Sequence, residues 1–327
     1  MITTQIITHN NEKTIQKTLE SILPLQGKIT IVDFGSTDTT LRIVEKFGAN
    51  VVPRITGDRS YIRNQLIQPG WNFYIEPWEV LINVFPIPEQ PRSCLFQVIS
   101  DQTLIKEARL WHDSTHIRFN NPICESLHDF NSKFIENSII FSNGHSELSE
   151  SALDSWANGS PTLSTPYYYR AFFYLQSQKY KEFIRDANQF LFLGGTGIPA
   201  YTMKYYLSLV HLYVFNNVEI AIKNMIICLS ANILMAEFWC LLGDAFYKLN
   251  QYAKAYSLYE NAIILGERRL KSDPWPMDIP KYKSYPRKMM QSCKELLEGE
   301  KFLIGTKTLK ISPKVPVLDS LNFVILM

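Results

Sequence analysis

The first part of the chain alternates short apolar runs with segments whose apolar residues recur at helical spacing, the pattern of a parallel sheet covered by helices. Ile2 to Ile7 predicts a strand, and Glu12 to Leu23 a helix with Ile15, Leu19, Ile22 and Leu23 on one face. Ile29 to Val32 predicts a second strand, followed by a helix marked by Leu41, Ile43, Val44 and Phe47, with Gly48 as its C-terminal cap. A strand at Val51-Val52, a short helix from Tyr61 to Ile67 and a strand from Trp71 to Ile75 complete a βαβαβαβ order. Open α/β sheets bind ligands at the carboxyl ends of their strands. Thr8 to Asn11, Asp33 to Asp38 and Glu76 to Glu79 are therefore expected to share one crevice.

Beyond Val80 the alternation weakens. Pro86, Pro88 and Pro91 interrupt the chain before strand-like runs at Cys94 to Ile99, Ala108 to Trp111 and Ser138 to Phe141, which predict an irregular, partly antiparallel completion of the same domain. Asn143 to Pro166 is rich in Ser, Asn, Gly and Thr, the composition of a linker. The expected organisation is an α/β domain over 1–150, a linker over 151–165, an all-α helical repeat domain over 166–300 and a C-terminal tail over 301–327.

The helical part carries a countable repeat. Trp239, Leu242, Gly243, Phe246, Ala255, Tyr259 and Ala262 have the spacing of a tetratricopeptide unit, two helices with small residues where their backbones approach. One period earlier Tyr205 falls under Trp239, Asn216 under Asn250, Val218 under Tyr252 and Ala221 under Ala255. A more degenerate pair is expected from Tyr167 to Leu193, with Gly194-Gly195-Thr196-Gly197 as an insertion.

Composition narrows the class. At 327 residues the chain is long enough for two cores. Its net charge of +2 gives no electrostatic argument for nucleic acid. The start reads directly as a strand rather than as a signal peptide, and no run of 18 apolar residues occurs, so a soluble, cytoplasmic protein without a membrane span is expected. The five cysteines show no CxxC spacing and predict buried apolar positions rather than a zinc cluster or a disulfide framework.

The order of segments resembles the family 2 glycosyltransferases of the GT-A fold, in the group fused to tetratricopeptide repeats. Ile7-Thr8-His9-Asn10-Asn11-Glu12-Lys13-Thr14-Ile15 looks like the first strand and turn of that group, followed by Leu19-Glu20-Ser21-Ile22. Val32-Asp33-Phe34-Gly35-Ser36-Thr37-Asp38-Thr39-Thr40 is similar to the second-strand motif, with Phe34 where Thr is usual. Tyr61-Ile62-Arg63-Asn64 resembles the Ala-Arg-Asn helix. Arg109-Leu110-Trp111, Ile117-Arg118-Phe119 and Glu125 resemble the later segments. The resemblance implies a Rossmann-like nucleotide-diphospho-sugar domain that moves a hexose, with inversion, from a UDP-sugar donor to a protein, peptide or glycan acceptor.

Thr8, Asn10, Glu12, Asp33, Ser36, Asp38 and Arg63 would then line the nucleotide sugar. Asp33 could accept hydrogen bonds from base or ribose, or cap the turn into the next helix. Asp38 could meet ligand or favour the positive end of the helix dipole. Arg63 could approach the diphosphate or pair with a neighbouring acid. The family carries Asp-x-Asp after the fourth strand, whose carboxylates hold Mn²⁺ or Mg²⁺. Here the stretch is Glu76-Pro77-Trp78-Glu79. Glu76 and Glu79 remain as candidate metal ligands, or as two solvated carboxylates. Cys124 stands where the family has His, too soft for either ion. Glu125 is the candidate general base, with a structural ion pair as the competing account. His112, His116, His128 and His145 lack metal-ligand spacing. Departures in these motifs also allow a second role, a catalytically weakened binding protein whose repeats engage a protein partner or a second copy of the chain.

Overall fold

The computed structural model describes residues 1–53, 55–100, 103–121, 126–127, 132–142 and 149–303. The chain divides into two compact units between Leu148 and Ser149.

The first unit is built on strands β1 (Ile2–Thr8), β2 (Lys28–Asp33), β3 (Asn50–Val52), β4 (Trp71–Tyr74), β5 (Glu79–Leu81), β6 (Ser93–Ser100), β7 (Thr103–His112) and β10 (Lys133–Ser142). Their order across the sheet is β3-β2-β1-β4-β7-β6-β10-β5. A separate short ladder joins β8 (Phe119–Asn120) and β9 (Ser126–Leu127). Every residue of β1 is buried, as expected of a central strand with both sheet faces covered. Helices α1 (Ile15–Ile22), α2 (Thr40–Lys46) and α3 (Arg59–Gln65) link the parallel strands. Apolar spacing seats α1 through Ile15, Leu19 and Ile22, and Asp58 starts α3 by accepting from the Tyr61 amide at 2.8 Å. β1, β2 and β4 run parallel in adjacent positions, with Thr8 opposite Asp33 and Gln5 opposite Tyr74. Their carboxyl ends therefore lie on one edge. Past β4 the sheet becomes mixed: β7 is antiparallel to β4 and β6, while β10 runs parallel to β6 and antiparallel to β5.

The second unit is helical. It begins with α4 (Glu150–Gly159), inside the stretch expected to be a linker. Leu153 and Ala157 bury one face of this helix, Ser149 caps it through the Ala152 amide at 3.1 Å, and Trp156 stacks on Tyr169. One apolar face thus outweighs the linker-like composition. Three helix pairs follow, α5 (Thr165–Gln176) with α6 (Tyr180–Phe192), α7 (Gly197–Tyr213) with α8 (Val218–Ala231), and α9 (Ala236–Lys248) with α10 (Tyr252–Gly266). They are tetratricopeptide-like. A Cβ at Gly243 would sit 2.7 to 3.0 Å from the Tyr259 ring, so only glycine lets these helices meet so closely. The turns inside the pairs repeat too, each with one left-handed residue, Gln178 (φ 57°), Asn216 (φ 52°) and Asn250 (φ 57°). α7 starts at Gly197, where the Gly194 to Gly197 insertion ends, and runs 17 residues against 13 in α9. α11 (Ile279–Tyr282) and α12 (Tyr285–Leu303) close the unit, α12 packing on α10 and running into the segment read as tail. Cys94, Cys228, Cys240 and Cys293 are buried free thiols, and Cys124 lies outside the described residues.

Candidate functional site

The loops after β1 and β2 interlock. Asn10 takes a left-handed conformation (φ 51°), which lets its amide donate to Ser36 Oγ at 2.8 Å while its Oδ1 accepts from the Thr37 amide at 2.8 Å. Glu12 Oε2 accepts from the Thr39 amide and hydroxyl at 3.0 and 2.8 Å, and its own amide donates to Asp38 at 3.1 Å. Asp33 Oδ2 accepts from the Gly35 and Ser36 amides at 2.9 and 2.8 Å, and Oδ1 from Ser36 Oγ at 2.5 Å. Gly35 supplies the positive φ (89°) that this turn needs. Thr8 Oγ1 donates to Asn11 Oδ1 at 2.9 Å. Partial burial works against the Asp38 charge, but hydrogen bonds from Thr40 and from the Glu12 amide hold its carboxyl below the usual range.

Thr8, Asn10, Glu12, Asp33, Ser36 and Asp38 are thus brought together at one sheet edge, bonded largely to one another. Asp33 caps its own turn, and a carboxylate with three accepted bonds still has lone-pair capacity for one more donor.

Arg63, Glu76 and Glu79 form a second group, joined to β1 where Arg63 donates to the Gln5 carbonyl at 3.4 Å. Arg63 is fully buried and its guanidinium pairs with Glu76 Oε1, while Arg59 reaches Glu76 Oε2 at 3.3 Å. Glu79 accepts from Arg109 through both oxygens at 2.8 Å, and its Oε2 also takes the Glu76 amide at 2.8 Å. Arg109 further meets Glu107 at 2.7 Å. Both Arg63 and Arg109 lie over the Tyr74 ring, at 4.8 and 4.3 Å to its centroid. Burial pushes the Glu107 carboxyl up, and Arg109 pulls it back. Burial also works against the Arg109 charge, but Glu79, Tyr74 and Glu107 raise its pKa well above the ordinary value.

All four oxygens of Glu76 and Glu79 are therefore engaged. A divalent cation would have to displace guanidinium partners from a buried, charge-balanced cluster, so these residues do not fit the metal that the Asp-x-Asp position implies. Among the described residues no group of three or more His, Cys, Asp or Glu could hold a metal ion. Glu125 lies outside the described residues.

Arg59 and Arg109 were not legible as site residues in the same way. Arg59 could have been found, since it stands one helical turn before Arg63 on the same face. Arg109 reaches Glu79 from a distant strand, and no local signal announces that pair. Asn64 ties α3 to β8, donating to Phe119 O at 3.0 Å and accepting from the Phe119 amide at 2.8 Å.

No protein-family model matches this chain, and no curated protein matches it. Among solved structures it is similar to MamA from Desulfovibrio magneticus RS-1, at 17% identity and TM-score 0.33, over 45% of this chain and 83% of that one. The Sgt2 TPR domain from Aspergillus fumigatus is similar at 11% identity and TM-score 0.35, over 48% of this chain and 93% of that one. Glucosyl-3-phosphoglycerate synthase from Mycobacterium tuberculosis is similar at 22% identity and TM-score 0.22, over 24% of this chain and 34% of that one. At these identities and scores the likenesses assign no activity. No helix among the described residues is long and apolar enough to cross a membrane.

Proposed function

We propose that this chain is an interaction protein in which a glycosyltransferase-like α/β unit serves as a scaffold without divalent-metal chemistry, while the helical repeats recognise a partner. The observation that carries this reading is the pairing of Glu76 with buried Arg63 and half-buried Arg59, and of Glu79 with buried Arg109. A transferase that relies on a cation to neutralise its leaving diphosphate needs those carboxylates open to the ligand. Here the same positions hold the sheet and α3 together.

A second reading, transfer of a hexose from a UDP-sugar to a protein, peptide or glycan, is favoured by the meeting of Thr8, Asn10, Asp33 and Ser36 at one rim. In that reading Asp33 would accept from base or ribose and Glu125 would act as base. Calorimetry with UDP-glucose, with and without Mn²⁺, combined with an assay for released UDP, separates the two. The interaction reading expects no Mn²⁺-dependent binding and no turnover. Mn²⁺-dependent binding with UDP release overturns it and restores the transferase reading, in which Glu125→Gln spares binding and removes transfer.

A further inference from the structure

In the first unit the mixed end of the sheet is apolar on both faces. Register puts Leu81, Ile140, Val98 and Ile105 in one row across β5, β10, β6 and β7, and all four are buried. The next row, Val80, Phe141, Ile99 and Leu104, belongs to the opposite face, because successive side chains along a strand alternate. It is as apolar as the first, yet Phe141 is 36% exposed and the other three are only half-buried. Two residues along on the same outward face stand Ile139, Gln97 and Lys106, with Ile82 beside Ile139 through a 2.9 Å bond from its amide to the Ile139 carbonyl. Ile82 is 52% exposed, and the loop that follows adds Val84 at 59% and an exposed Ile87. Six of these eight outward positions are apolar, one is a lysine and none is an acid.

A sheet face that meets water carries polar side chains between the apolar ones of its buried face. This face has instead the composition of a covered one. A run of matching composition lies in the chain itself. Residues 304–327 include Leu321-Asn322-Phe323-Val324-Ile325-Leu326-Met327, apolar at six of seven positions and without a charge. That run is far short of the roughly 20 apolar residues that cross a bilayer, and left in water it is the uncharged, β-branched and aromatic kind of segment that aggregates. The dimensions agree, since four strands about 4.8 Å apart span roughly 14 Å and seven extended residues about 20 Å. The charges agree too. Asp319 is the one charge of residues 315–327, opposite in sign to Lys106, the one charge among the eight outward positions. Reach is ample, because the 17 residues 304–320 extend to about 56 Å, against a radius of gyration of about 15 Å for a unit the size of the first.

We propose that this outward face is the docking site of the chain's own residues 317–327, which lay their apolar side chains across β5, β10, β6 and β7. The inference makes no use of the repeats and stands whichever reading of the first unit's rim holds. Carried on the same chain, the segment is presented at an effective concentration of roughly millimolar, so a modest contact area keeps it docked.

The test compares the full chain with one stopped after Pro316, by hydrogen exchange of peptides from β5 and β10 and by anisotropy of a labelled peptide of residues 310–327, which keeps Lys310 and Lys314 for solubility. Removing the segment is expected to speed exchange of amides 80–84 and 139–142 by about fivefold or more, while peptides from β1 and β2 stay unchanged. The shortened chain is expected to bind the peptide, and the full chain, its face filled in cis, to bind it about tenfold more weakly or less. Ile82→Lys, at an exposed position, is expected to reproduce the faster exchange in the full chain and to remove peptide binding in the shortened one. Phe323→Asp in the peptide is expected to remove binding without altering the protein. Unchanged exchange after removal, equal peptide binding by both chains, or no binding by a folded shortened chain overturns the proposal. An exchange difference confined to concentrations at which light scattering reports a dimer also overturns it, and assigns the cover to a second copy.

Discussion

Arg109→Met is the sharpest probe of the first unit. Arg109 makes two 2.8 Å bonds to Glu79 and one of 2.7 Å to Glu107, with its guanidinium over Tyr74. Methionine keeps most of the volume and removes the charge, leaving two buried carboxylates without that partner. Each can escape by taking up a proton. Protonating a carboxylate at pH 7 costs at most about 3.7 kcal/mol, from a reference pKa of about 4.3 at about 1.4 kcal/mol per unit. Glu107, whose carboxyl burial already pushes up, adds less. The sum falls at about 3–5 kcal/mol, the usual cost of breaking a buried pair, against roughly 0–1 kcal/mol for an exposed one. In a unit of this size about 4 kcal/mol lowers Tm by roughly 10 °C. Hydrogen exchange read on peptides from β4 and β7 reports this unit separately from the helices. The deficit should shrink at pH 5, and Arg109→Met with Glu79→Gln should recover a kcal/mol or more, since a neutral pair leaves less unpaired charge. A single-variant cost below about 1 kcal/mol, or strict additivity in the double variant, would refute a buried, coupled cluster.

Three other outcomes are expected. Asn10→Ala removes the acceptor for the Thr37 amide and places alanine at a left-handed φ, so it should cost about 1–3 kcal/mol and speed exchange of amides 33–40, whereas Asn10→Gly should cost less on the backbone term. Gly243→Ala pushes a methyl to 2.7 Å from the Tyr259 ring and should destabilise the helical unit by about 1–3 kcal/mol, measured by thermal unfolding. Burial raises Glu237 to about 7 against the pull of Arg269 and Tyr282, so the folded unit binds more protons than the unfolded chain between about 4.5 and about 7. Its contribution to stability is complete below that window and is lost as pH rises through it. Urea midpoints should accordingly fall from pH 5 to pH 8, and Glu237→Gln should flatten the slope.

Much of the fold was legible because local pattern and tertiary role agree. Ile15, Leu19 and Ile22 are the apolar face of α1 in the sequence and its buried face in the structure. Gly243 and Ala255 announce the close approach of α9 and α10 by their size alone. β5 was illegible for the opposite reason. Glu79-Val80-Leu81 is three residues led by an acid, and it is a strand only because Ser142, Phe141 and Ile140 arrive beside it from far along the chain. The site divides the same way. The sequence marks Asn10, Glu12, Asp33, Ser36 and Asp38 as loop residues at strand ends, and register alone brings them together. It does not reveal that Asn10 and Glu12 bond to residues 37 and 39, 27 positions away, because backbone twist and loop conformation decide that.

The two units share one physical device, and it bears on what can open either. In the first, Glu76 and Glu79 are answered by Arg63, Arg59 and Arg109, and in the second Glu237 is answered by Arg269 and Asp244 by Lys281 at 4.0 Å. Tyr213, Tyr259 and Tyr285 add hydroxyl bonds of 2.6 to 2.7 Å to Asp244. Charges this far from solvent are screened little by salt, so raising ionic strength should leave both clusters closed. Removing one partner strands a buried charge, whereas exchanging it for an equivalent group does not. A divalent cation at Glu76 and Glu79 is no such equivalent, because it would have to expel guanidiniums that remain tethered beside it.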